Sequence, residues 1–167
     1  MDFQLKPITK EGIPAALQKA ERYRVIADPT SAESICLDVL ALDPENQQAL
    51  VTLLLAITDQ FGESPTEGLG RAREVLPRLH DEFRRLYYAG IIYERCAKAQ
   101  LRSGVPRAGE MAYHWLREAM SSYEKAESLR PAGNDEPILR WNTCARLLGR
   151  NPQLRPGTEE PVALTLE

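Results

Sequence analysis

Several things this sequence does not have narrow what it can do. It has no excess of basic residues: 21 lysines and arginines against 24 aspartates and glutamates leave a net charge of −3. Affinity won from a phosphate backbone needs a clustered positive face, so nucleic acid is not an expected partner. It has no long apolar run of the roughly 18 residues that a membrane span needs, and its start, MDFQLKPITKEGIPAAL, lacks a basic stretch leading into an apolar one. The expectation is a cytoplasmic protein with no membrane partner. Cysteine is scarce: Cys36, Cys96 and Cys144 are odd in number, far apart and set among helix-patterned apolar residues, which suits free buried thiols.

The chemistry-bearing motifs are missing too. The two histidines, His80 and His114, have no cysteine, aspartate or second histidine at a metal-ligand spacing, so no metal and no cofactor are expected. The stretch GLGRA at Gly68 has neither a preceding strand pattern nor a lysine-serine ending, and does not read as a phosphate loop. A cysteine nucleophile needs a nearby base, whereas Cys96 and Cys144 sit on apolar stripes. The chain is therefore not expected to be an enzyme.

What is present is helix signal. Apolar residues recur at steps of three and four over 13–26, 32–42, 47–61, 66–79, 82–102, 108–129 and 136–148, which predicts seven helices in an all-α fold. Turn chemistry separates them, in ADPTS at Ala27, LDPEN at Leu42, FGESPTEG at Phe61, RSGVPRAGE at Arg102 and RPAGNDEP at Arg130. Such short connections pack consecutive helices antiparallel. Pro77 removes a helical hydrogen bond and crowds the preceding turn, so a kink or an early end is expected there.

Within the helical pattern a motif repeats. Ala119, Tyr123, Ala126, Leu129 and Pro131 have the same offsets as Ala32, Cys36, Val39, Leu42 and Pro44, and Ala72, Leu76 and Leu79 reproduce the start of the series. Upstream of the complete copies stand the pairs Ala20 with Tyr23 and Gly90 with Tyr93. Small residues let two helices approach closely, a bulky one fills the hole alongside, and proline stops the helix. On these residues the chain resembles a tetratricopeptide repeat (TPR) protein over about three quarters of its length. The resemblance implies antiparallel helix pairs stacked as a right-handed superhelix. It divides residues 1–150, one domain, into units 13–44, 47–79 and 82–131 and a capping helix 136–148. The third pair is elongated, because Tyr93 lies 26 residues before Ala119 while Tyr23 lies only nine before Ala32. Its far end, with Cys96, Ala97, Leu101, Met111, Ala112 and Trp115, is expected to project as a hairpin that either packs on itself or offers a contact surface.

The resemblance also implies a function, a non-catalytic adaptor whose concave face binds a protein or peptide. The expected groove residues are Arg84, Tyr87, Ile91, Glu94, Arg95 and Lys98 in the third unit, Gln48, Val51, Leu55 and Thr58 in the second, and Leu17, Glu21 and Arg24 in the first. Asn142, Thr143 and Arg146 extend the groove or form a solvated face. The family's clamp for acidic chaperone tails is absent, since its positions hold Leu17 and Glu21 in the first unit, Thr52 in the second, and Arg84 but Tyr88 in the third. Charge is unevenly spread: no lysine or arginine lies between Arg24 and Arg71, whereas 71–107 carries nine basic residues against four acidic ones. An acidic peptide is the expected ligand if that basic segment lines the groove. A self-associating homo-oligomeric module is the alternative, and an enzyme or small-molecule receptor a third class. Residues 151–167, rich in proline, are expected to be extended or disordered, and the apolar, acidic end EEPVALTLE is a candidate to occupy the groove.

Overall fold

The computed structural model describes residues 3–62 and 65–157. Among them the chain is helical throughout with no strand, in seven α-helices: α1 Ile13–Val25, α2 Pro29–Leu42, α3 Gln47–Asp59, α4 Thr66–Val75, α5 Glu82–Ser103, α6 Ala108–Leu129 and α7 Glu136–Arg150. Among the described residues no helix is long and apolar enough to cross a membrane. Local chemistry accounts for the boundaries. The Asp28 carboxylate accepts from the Ser31 amide at 3.1 Å and the Asn46 carbonyl oxygen from the Ala49 amide at 2.9 Å, each capping a helix start. Pro77 has the expected effect: α4 stops at Val75 and continues only as a 3-10 turn, Leu76–Arg78. The α5–α6 junction needs two left-handed residues, Gly104 at φ 65° and Arg107 at φ 63°.

Each helix packs mainly on its neighbour in sequence, and polar ties align the first helices of the pairs. Asp59 on α3 takes Arg24 of α1 at 2.8 Å and Arg95 of α5 at 3.2 Å, holding α1, α3 and α5 side by side. Glu33 of α2 pairs with Arg71 of α4. Most residues of the repeated motif do what close packing requires: Ala20, Ala32, Cys36, Val39, Ala72, Leu79, Ala119, Tyr123 and Ala126 are buried, whereas Leu42 and Leu76 are partly buried and Leu129 is about half exposed. At Gly90 a Cβ would stand 2.3 Å from the Tyr123 ring, so only glycine lets α5 and α6 meet there.

The interior has two parts. One, between α1 and the inner side of α5, is built from small and aliphatic side chains with Phe61; the other, among α5, α6 and α7, holds Phe83, Tyr87, Tyr123 and Met120. Tyr88 and Trp115 touch both. The far end of the long hairpin is not free-standing. Cys96, Ala97 and Ala112 are fully buried, Tyr93 stacks on Trp115 at 5.7 Å, and Met111 stays about half exposed. Beyond α7 the chain runs back along α6, with Leu154 buried and the Gln153 carbonyl oxygen 2.9 Å from where a Gly109 Cβ would stand. The first part of the expected tail is therefore extended but docked, held by the burial of Leu154. The segment EEPVALTLE lies outside the described residues.

Candidate functional site

A cleft of about 410 Å³ opens on the side formed by α1, α3 and α5 and is closed at one end by the α6–α7 connection. Its floor is apolar and aromatic, from Val51 of α3 and Phe83, Tyr87 and Tyr88 of α5. Its rim is polar, with Glu21 of α1, Gln48 of α3, Arg84 of α5, and Asn134 and Glu136 before and at the start of α7.

The sequence places these groups by simple means. Asp81 caps α5, its carboxylate accepting from the Phe83 amide at 3.1 Å, so that Phe83, Arg84, Tyr87 and Tyr88 fall on the first two turns at steps of three and four. The aromatic floor is self-supporting: Phe83 stacks on Tyr87 with centroids 6.1 Å apart, and Tyr87 meets Tyr88 edge-on at 5.1 Å. Gly133 at φ 80° turns the chain between α6 and α7, and the Asn134 side-chain oxygen accepts from the Glu136 amide at 3.1 Å. Asn134 is thus held at the rim by the same contact that helps to start α7.

Below the cleft lies a buried ionic cluster. Glu94, 2% exposed, accepts the Tyr123 hydroxyl at 2.7 Å, Lys98 at 2.5 Å and Arg140 at 3.3 Å. Two cations and a phenol on one carboxylate satisfy it without water, and no described buried side-chain polar atom is left without a partner. Burial first, then the Glu94 charge and its hydrogen bond, push the Tyr123 phenol far above its ordinary value. Burial lowers Arg140, but Glu94 and a hydrogen bond to Tyr87 outweigh it, so the guanidinium is raised overall. Burial likewise raises Tyr87 and Tyr88, with the charge of Glu136 adding to both. Cys36, Cys96 and Cys144 are free, and burial pushes each thiol up to about 12, so none is a thiolate near neutral pH.

The structure separates the expected groove residues. Arg84 reaches the cleft, as do Gln48, Val51 and Glu21. Tyr87 contributes only an edge, being 8% exposed. Ile91, at 3%, and Glu94 face the interior rather than a groove, because Gly90, Glu94 and Ala97 follow one another at i, i+4 and i+7 on the stripe that meets α6. Leu17 and Thr58 are also buried. Arg95 lies in a second cleft of about 450 Å³ with Arg24, Val25 and Asp59, where it is tied to Asp59. Lys98 is spent on Glu94. Asn142 and Arg146 lie across α7 from the buried Pro137 and Cys144, so they face away from α5 and do not join the others. The expected basic groove is therefore absent: Arg95 and Lys98 each answer an internal carboxylate, and the cleft that does form carries Glu21 and Glu136 against Arg84.

Phe83, Tyr88, Asn134, Glu136 and Arg140 did not enter the expected site. Phe83 and Tyr88 carried a signal, standing one helical step from Tyr87 and Arg84. Arg140 carried none, since only the packing of α7 brings it to Glu94. Comparison of the chain with protein-family models, with curated proteins and with solved structures finds no match.

Proposed function

We propose that this protein is a non-catalytic binding module that takes an extended peptide segment of a partner protein in the cleft between α1, α3, α5 and the start of α7. The observation that carries the reading is the cleft itself: an open trough of about 410 Å³ whose apolar floor comes from α3 and α5 and whose polar rim comes from α1, α3, α5 and the start of α7. The burial of the small residues at Ala20, Ala32, Ala72, Gly90 and Ala119 supports a TPR-like stacking of the pairs as a right-handed superhelix.

The test uses pooled short peptides of randomised sequence. Wild type retains a subset, and Val51→Trp, which fills the floor without changing its charge, loses it, with a melting scan confirming that the variant is folded. Equal retention by both proteins removes the cleft from the argument. A second reading, self-association, has one observation in its favour: Val105 and Met111, each about half exposed, line an apolar hollow of about 420 Å³ with Leu69 and Trp115. Sedimentation at micromolar concentration separates the two, since a module that works through its cleft alone stays monomeric.

A further inference from the structure

The charges around the cleft select among peptides. Of its three ionised rim groups, Arg84 is partnered by Asp81 at 4.0 Å. Glu21 and Glu136 form no ion pair among the described residues; Glu21 has only a long hydrogen bond, 3.4 Å, from the Gln48 amide. Other cations nearby are engaged elsewhere: Arg24 with Asp59 and Arg140 with Glu94. Two carboxylates without cationic partners thus stand on the rim of a cleft lined by the partly exposed Tyr88 ring and by small parts of the buried Phe83 and Tyr87 rings.

That combination matches one kind of side chain. Aromatic faces carry negative charge density and attract a cation within about 6 Å of the ring centre. The long methylene stem of lysine or arginine packs on an apolar floor while its head stays at the wet rim. An acidic side chain in the same place would meet two carboxylates and lose on both counts. Tyr87 and Tyr88 stay neutral phenols, since burial and the Glu136 charge both hold the proton on.

We infer that the cleft recognises a cationic side chain, a lysine or arginine of the bound peptide, seated on Tyr88 and Phe83 and flanked by Glu21 and Glu136. This rests on the peptide-binding reading above and reverses the acidic ligand expected from the sequence.

The test uses the full chain and three pools of short peptides with randomised flanks and a fixed central residue: lysine, alanine or glutamate. Binding is followed by fluorescence anisotropy. The lysine pool is expected to bind roughly 10-fold tighter than the glutamate pool, the sum expected of two exposed charge pairs and a cation-aromatic contact. The preference should shrink with added salt and vanish in the double variant Glu21→Gln, Glu136→Gln. Both positions are exposed, so that variant keeps its fold. Equal binding of the three pools, or preference for glutamate, overturns the cationic inference while sensitivity to the charge-neutral Val51→Trp leaves the cleft reading standing. Binding that is absent for every pool, or unchanged by Val51→Trp, overturns both.

Discussion

The two parts of the interior solve the same packing problem differently. In the first pairs, α1 to α4, helices of 10 to 14 residues meet through alanines and aliphatic side chains, and their ionic ties run through Asp59 and Glu33, partly buried carboxylates that keep some contact with solvent. In the long pair, α5 and α6 run 22 residues each, and their contact is built from a glycine against a tyrosine ring, an aromatic row and a buried carboxylate with three partners. Short helices fix their register through their caps and connections. Long ones can slide by a turn at little cost in buried area, and a single carboxylate that must find a phenol and two cations permits one register only. The same device ties α7 down, because Arg140 is one of those partners.

Substitution sharpens the contrast. The largest effect is expected at Gly90→Leu. Its first added atom already falls 2.3 Å from the Tyr123 ring, so the loss should reach or exceed the upper end of the usual overpacking range of about 1–3 kcal/mol. Gly149→Leu, where a Cβ meets nothing within 4 Å, should leave the thermal midpoint close to wild type. Similar midpoints for the two would mean that α5 and α6 do not approach as described.

Next comes Glu94→Ala, expected to cost about 2 kcal/mol in chemical denaturation, since it strands a buried phenol while Lys98 and Arg140, each partly exposed, regain some water. The matching change among the short pairs, Asp59→Ala, should cost no more than about 1 kcal/mol because that carboxylate is partly solvated. Equal losses would erase the distinction between the two regions.

Leu154→Ala should cost about 2 kcal/mol, the low end for a buried leucine at the margin of a core. Hydrogen exchange should then quicken at the start of α6, where Gly109 meets the returning chain, and not in α1 to α4. Uniform quickening would mean that the two parts open together. The smallest effect is on stability at the rim: Glu21→Gln with Glu136→Gln should move the melt by less than about 0.5 kcal/mol, both groups being exposed. A larger shift would mark these carboxylates as structural rather than as ligand contacts.

The sequence by itself determined the helices and most of the places where they touch. Periodicity set the seven segments within a few residues, Pro77 ended α4, and the repeated small residues marked the buried contacts, because each of these is a property of one helix and its immediate connection. It also contained an unread sign of Glu94: Gly90, Glu94 and Ala97 share a stripe, which put the carboxylate inside. What only the tertiary structure decided is where charge remains free. Lys98 stands four residues after Glu94 on one helix, but Arg95 and Arg140 were indistinguishable in sequence from solvent-facing cations, and whether such a cation is paired depends on which carboxylate of a distant helix lies within about 4 Å of it. That distance follows from how whole helices pack, so which charges are left free at the cleft could not be read from the chain.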